Sequence, residues 1–539
     1  MKKTKHSRSF LFATIFCLVA CGSLFAQPGT YTNPIITGAH SDPSVCRVGD
    51  TYYLVNASVE WFPGLPISRS KDLVNWELIG YAYNNRNHDA LEKEAFDSGG
   101  LFAPTIRFHD GLFYVLSTHI GGKGNFYVTA KDPAGPWSAP VWLDAIGIDP
   151  TIFFDDDGRC YYVGHGNLHQ RKDWLGQTGI WMQELDLKQQ KLVGKPKHLT
   201  YGHATNARWT EGPRLHKING KYILMVAEGG TDMNHAVCTF VSDNVWGPYV
   251  PNQINPILTH RHLGEDFPVY AVGHADIVDT PNGEWWMVLL GKRRGKNGYC
   301  FGRETFLAPV KLQGGDDDVN LIVSPGIGYV PFEHTRPNLP WTPVPAFLRM
   351  DEFDKPLGVH WIFLRTPMTD WYRTNAGKLT VDVRPEVAQK RENPSMVVRR
   401  IKDEVFKATT QMSFSSQREN EEAGMILYRS SQYHVTLTCR NDSIVATRIF
   451  DGVATDIAQV KCKGGNMYLG IESDGQQIYF LYGTNRTAMV RLNCSVPFEI
   501  VADKYQKSGG YGGTMVGMYA TSNGVPSSQK ATYEWFNLE

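Results

Sequence analysis

The chain has 539 residues, more than one hydrophobic core ordinarily supports, so it reads as two or more domains. Lys plus Arg and Asp plus Glu both total 54, and this zero formal charge leaves no electrostatic footprint for nucleic acid or an anionic membrane surface. The 52 Gly and 30 Pro, with 14 Trp, 25 Tyr and 26 Phe, fit a turn-rich all-β protein.

The N-terminus joins a basic start to an apolar run from Phe10 to Ala20 and then to small residues. That is the pattern of a secretory signal, too short for a membrane span, and it places the protein in the periplasm or outside the cell. Two processing readings stand. Leu18-Val19-Ala20-Cys21 resembles a bacterial lipobox, so removal of residues 1–20 would leave Cys21 as the lipid anchor of an outer-membrane lipoprotein; cleavage after Ala26, removing 1–26, would release a soluble chain. The nine cysteines form no CxxC pair, which argues against a zinc site and implies no disulfide framework. They read as small buried apolar residues.

From about residue 30 one pattern recurs five times: GDTYYLV at 49, DGLFYVL at 110, DGRCYYV at 157, NGKYILMV at 219 and NGEWWMVL at 282. Apolar runs such as PSVCRV, PTIRF, PTIFF and PRLHKI precede the turns, which favour two-residue hairpins. Each unit is a β-meander of the size of a propeller blade, so residues 27–325 are expected to form a five-bladed β-propeller.

In a propeller the first strand of every blade lines the central channel, so equivalent positions converge on the axis. Counting back eight residues from Asp50, Asp110, Asp157, Asn219 and Asn282 gives Asp42, Phe102, Asp149, Glu211 and His274. A lone Asp before a strand is ordinarily a turn or cap residue. Three acids at one repeat position are different, because like charges brought together cost energy. Two uses suit them. One is a calcium site built from oxygen ligands. The other is glycoside hydrolysis, which needs one ionised carboxylate and one carboxylic acid kept protonated, the latter's pKa being raised by a neighbouring carboxylate.

NPIITGAHSDPS, EWFPGLPISRSKDLVNW, IDPTIFFDDDG, WTEGPRLHKINGKY, GHADIV and GRETF resemble the signature segments of glycoside hydrolase family 43, in particular its β-xylosidase and α-L-arabinofuranosidase members. The resemblance implies Asp42 as general base, Glu211 as general acid and Asp149 as the group that tunes and orients Glu211, with Arg303 binding substrate and inversion of configuration. Inversion requires the two carboxyls to stand about 6.5–9.5 Å apart. His274 is either a hydrogen-bonded structural histidine or, as in part of the family, helps hold a calcium ion through water at the channel centre; no other cofactor is implied.

Two positions depart from the β-xylosidase pattern. Phe102 stands where Trp is usual before Ala-Pro, and Val59 stands where an aromatic commonly precedes Glu-Trp-Phe. Both are expected to face the sugar, and they leave xylose and arabinofuranose open. Trp61, Phe62 and Trp209 are candidates for the sugar platform, with core packing as the alternative. The acidic runs at 155–157 and 316–318 read as turns, Lys131-Asp132-Pro133 as the outer part of a blade, and GKRRGKNG at 291–298 as an exposed basic hairpin, with a border of the pocket as the alternative because it leads towards Arg303.

Residues 326–347 form a Pro-rich stretch without helical or strand period, expected as an extended surface linker. From 348 to 539, segments such as KLTVDVR, AGMILYR, QYHVTLTCR and GTMVGMYAT alternate as strands of an antiparallel β-sandwich. The resemblance makes this domain concanavalin A-like, lending a loop that closes the pocket and so implying exo action. The reading is an inverting exo-glycosidase that removes terminal β-D-xylose from plant cell-wall oligosaccharides. The rivals are an α-L-arabinofuranosidase built on the same machinery and a non-catalytic sugar-binding propeller.

Overall fold

The computed structural model describes residues 29–86, 96–169, 172–314, 318–345, 347–462, 465–505 and 510–539. The signal segment with Cys21 lies outside them, as does most of the acidic run at 316–318. Apart from one 3-10 turn, Phe498–Val501, every regular element among the described residues is a strand.

Five antiparallel sheets follow one another, spanning 44–83, 100–142, 148–200, 211–259 and 269–323. These are blades 1 to 5. Each has an inner strand joined to a second strand, through a Gly49-Asp50 turn in blade 1 and an Asp-Gly or Asn-Gly turn in the other four. The turns fit their residues: Asp110-Gly111 and Asn219-Gly220 both take positive φ at both positions, as a type I′ hairpin requires. The second strands are buried almost end to end, for example Leu112–Ile120 and Lys221–Glu228, because a blade is covered on both faces by its neighbours. Apolar clusters fill every gap in turn. Val55 and Ile67 meet Ile106 and Val115; Leu116 meets Ile152 and Tyr162; Val163 meets Leu215 and Leu224; Met225 meets Ile277 and Leu289; and Leu54 meets Val288 and Leu307, closing the circle.

That last closure uses no shared strand. The N-terminal segment lies along blade 5 instead. Tyr31 Oη and Asn33 Nδ2 donate to the Leu307 carbonyl at 2.7 and 2.9 Å, Leu307 N–H donates to Asn33 Oδ1, and Ile36 bridges Thr305. The connector also departs from expectation, since Glu333–Thr335 forms a short strand against Thr30–Thr32. Pairing with a partner some 300 residues distant leaves no local period to read.

Residues 350–538 form two packed antiparallel sheets, one of six strands and one of eight. Val397, Met425, Leu437 and Met518 from the first meet Leu379, Ala408, Ile471 and Phe536 from the second. The two domains are joined by more than the connector. Trp61–Phe62 pairs with Phe363–Leu364, and Trp61 sets its ring edge-on to Tyr428 at 5.8 Å.

Candidate active site

The five ring positions meet as counted. Asp42, Phe102, Asp149, Glu211 and His274 all line one pocket of about 350 Å³ at the propeller axis, a volume suited to one small ligand. The backbone that delivers them is unusual. Asp42, Asp149 and His274 adopt φ of 52°, 55° and 46°, and the inner strands of blades 3, 4 and 5 slip register beside Asp149, Glu211 and His274. Such bulges re-aim a side chain out of the pleat, and left-handed φ at non-glycine residues costs on the order of 1–3 kcal/mol each. In blade 4 the left-handed residue is Gly212, at φ 59°. A Cβ there would stand 2.9 Å from His274 Nε2, so the Glu-Gly pair is what lets Glu211 and His274 approach.

The three carboxyls sit in unlike fields. Arg303 donates from Nη1 to Asp42 Oδ1 at 3.1 Å, and His274 Nδ1 lies 3.5 Å from the same oxygen. Burial alone would raise Asp42, but Arg303 and then His274 outweigh it and hold the group below the ordinary carboxylate range. Asp149 accepts from Gly212 N–H at 3.1 Å; burial and the charge of Asp42 push it up to about 7. For Glu211 the pull of Arg303 is outweighed. Burial, then Asp149, then Asp42 raise it well above the ordinary value. The pocket therefore sets one carboxyl whose ionised form is favoured beside two whose protonated forms are favoured.

Beneath this ring lies a residue that counting did not single out. Asp276, fully buried, accepts from Ser44 Oγ at 2.6 Å and Arg107 Nη1 at 2.8 Å, with His216 Nε2 at 3.0 Å and Arg214 Nε at 3.6 Å. Four blades meet on one carboxylate. Burial works against its charge, but Arg107, His216 and Arg214 drive its pKa far below the usual range. Arg214 in turn donates to the Pro104 carbonyl at 2.9 Å and lowers Asp149.

The remaining expectations divide. Arg303, Val59 and Trp209 line the pocket, Trp209 with 43% of its surface exposed. Trp61 and Phe62 do not. They are 1% and 5% exposed and belong to the seam with the sandwich, because strand pairing with Phe363–Leu364 turns them into that core. For the basic hairpin the alternative holds. Lys292 is 6% exposed, lines the pocket and lies 3.5 Å from Asp503 of the sandwich, while the backbone N–H of Lys296 donates to the Glu404 carboxylate. Asp155 and Asp156 at the blade 3 turn hold Lys217, as turn acids do. Lys131 and Asp132 are exposed after the third strand of blade 2, away from the pocket.

One pocket residue comes from the other domain. Tyr511 packs edge-on against Phe102 at 6.0 Å, lies under the Arg303 guanidinium at 5.1 Å, and its carbonyl accepts from Arg303 Nη2 at 3.4 Å. Its neighbour Gly512 donates to Ser98 Oγ, just ahead of blade 2, at 2.9 Å. The sandwich thus walls the pocket on one side.

Comparison with known proteins gives the family. The family model for glycosyl hydrolases family 43 matches residues 31–316, and that for the β-xylosidase C-terminal concanavalin A-like domain matches 350–539. A xylosidase/arabinosidase of Butyrivibrio fibrisolvens is 37% identical, covering 94% of this chain and 99% of its own. A non-reducing end α-L-arabinofuranosidase of Bacteroides ovatus is 36% identical, covering 94% of each. The crystal structure of a xylan β-1,4-xylosidase from Bacillus halodurans superposes with a TM-score of 0.88 at 29% identity, over 94% of this chain and 100% of that one. The chain, a five-bladed propeller with a concanavalin A-like sandwich, belongs to glycoside hydrolase family 43 and is a glycoside hydrolase.

Proposed function

We propose that the protein is an inverting exo-glycosidase that removes terminal β-D-xylosyl residues from xylo-oligosaccharides. The observation that carries this is the opposite displacement of Asp42 and Glu211 across one small pocket. Asp42, ionised against Arg303, takes a proton from a water on one face of the sugar, while Glu211 gives its proton to the departing oxygen. Asp149 keeps Glu211 protonated by charge repulsion. A pocket walled by Tyr511 and Phe102 admits a chain end rather than a chain middle, which supports exo action.

A second reading, release of terminal α-L-arabinofuranose, is favoured by Val59 and Phe102 in the wall and by the name of the Bacteroides ovatus relative. Hydrolysis of aryl β-xyloside and aryl α-arabinofuranoside, with the first-formed anomer followed by NMR, separates the two; a much larger rate on the arabinoside overturns the first. Glu211→Ala is expected to cripple poor leaving groups and spare activated ones, whereas Asp42→Ala harms both. A merely sugar-binding propeller would show no turnover for Glu211→Ala to change.

The hydrolysis needs no organic cofactor. We infer in addition that calcium sits at the axis beside His274, held through water. His274 Nε2 is buried and without a hydrogen-bond partner among the described residues, which suits a hydrated cation. The ion would supply positive charge beside the carboxyl ring. Export is likewise proposed, on the strength of the signal pattern; mass spectrometry of the mature N-terminus decides between Cys21 and Gln27.

A further inference from the structure

In blade 4, behind the pocket wall, three donors of different chemistry meet. Val226 pairs with Cys238 and Glu228 with Ala236, so Glu228 and Cys238 are diagonal neighbours on one face of the sheet. The loop after Thr200 lays His203 across them. His203 Nδ1 is 2.6 Å from Glu228 Oε2 and 3.4 Å from Cys238 Sγ, and all three ligand atoms lie within 4.8 Å of one another. Glu228 is 3% exposed and Cys238 fully buried, while the His203 side chain is 22% exposed and opens the group to solvent.

We propose that His203, Glu228 and Cys238 form a zinc site, with water as the fourth ligand. The donor set is the mixture of imidazole, carboxylate and thiolate that Zn²⁺ takes in tetrahedral geometry. From ordinary zinc bond lengths, the sulfur–nitrogen edge of such a tetrahedron is about 3.5 Å and the nitrogen–oxygen edge about 3.3 Å. The first is already met; the second asks the carboxylate to move back by about 0.7 Å. Charge balances as well, because a divalent ion with one thiolate, one carboxylate, a neutral imidazole and water is neutral overall. On binding, Cys238 forms the Zn–S bond and its thiol proton leaves to solvent, so affinity rises with pH. Without a cation, burial and then Glu228 keep that thiol protonated.

The surroundings are arranged for the group. His203 N–H donates to Glu228 Oε1 at 2.9 Å, which orients the carboxylate through its other oxygen. Gly202, at φ 119°, has room for no side chain: a Cβ would stand 2.3 Å from Ala207 Cβ and 3.1 Å from Glu228 Oε1. Glu228 leads directly into Gly229 and Gly230 of the pocket wall, and the His203 loop leads to Trp209 and Glu211. Zinc would fasten these two segments together. The absence of CxxC pairs hid the site, because its ligands come one each from a loop and two strands.

The test uses the full-length protein after chelator treatment, titrated with Co²⁺ and then Zn²⁺. One Co²⁺ per chain is expected, with a thiolate-to-cobalt charge-transfer band and d–d bands of tetrahedral intensity, both abolished by zinc. Cys238→Ser is expected to lose the charge-transfer band. Cys439→Ser keeps it, a necessary control because Cys439 and Cys462 place their sulfurs 3.9 Å apart. His203→Gln, at a partly exposed position, is expected to weaken binding at least about 100-fold and to lose the rise in melting temperature that zinc gives the parent. Absence of the charge-transfer band at saturating Co²⁺, or its survival in Cys238→Ser, overturns the proposal.

Discussion

Replacing Asp276 by Asn tests whether one carboxylate ties the blades together. The amide can still accept from Ser44 and from backbone N–H, but it cannot balance Arg107 and Arg214, which stand 2.8 and 3.6 Å away and are 14% and 0% exposed. Removing one partner of a buried ion pair costs about 3–5 kcal/mol, because the other charge stays buried and unpaired. For a domain of this size that is a fall in melting temperature of about 6–15 °C, to be read by scanning fluorimetry at fixed scan rate and by denaturant titration. The pH dependence carries a sign. The folded-state pKa of Asp276 is depressed, so its stabilisation is present in full above the unfolded-state value near 3.9 and is lost as pH falls from there toward the folded-state value. The gap between parent and Asp276→Asn is therefore constant from pH 7 to about 5 and narrows by about 1.2 kcal/mol by pH 3. A fall below about 2 °C, or a gap as wide at pH 3 as at pH 7, refutes the reasoning.

Asp149→Asn removes the charge that, after burial, contributes most to raising Glu211, so the alkaline limb of the kcat/KM profile moves to lower pH while the acid limb set by Asp42 stays. Tyr511→Ala opens the wall over Phe102 and Arg303 and is expected to lower kcat/KM about 10–100-fold, with Tyr511→Phe close to the parent; steady-state kinetics on an aryl glycoside reads both. Trp61→Ala is expected to destabilise by about 3–5 kcal/mol in denaturant titration while leaving KM near the parent value at low temperature, since Trp61 packs on Tyr428 and not on the pocket.

What could be read in advance follows from what repeats. The turn that opens each blade recurs, so counting back from five turns located Asp42, Phe102, Asp149, Glu211 and His274 without any knowledge of packing. Asp276 repeats nowhere and is a single-copy residue two places beyond the ring. Tyr511 lies 409 residues from its partner Phe102, in a domain with a different period, and no local pattern ties the two together. Trp61 and Phe62 misled for a related reason: they adjoin the pocket residue Val59 in sequence, and only pairing with Phe363–Leu364 decides which way they face. The left-handed backbone at Asp42, Asp149 and His274 was equally hidden, because Asp and His enter that region more readily than most residues yet only rarely, and neither signals it as Gly does.

The seam between propeller and sandwich has a bearing on how this enzyme can be rebuilt. With Tyr511 in the wall, Gly512 tied to Ser98 and Trp61–Phe62 zipped to Phe363–Leu364, catalyst and appendage share a single reaction chamber. Cutting at the connector would not yield a smaller enzyme but half of one, with a bare strand edge and an unroofed cavity. Swapping sandwiches between homologues accordingly becomes a means of altering which sugars enter, rather than a change of tether.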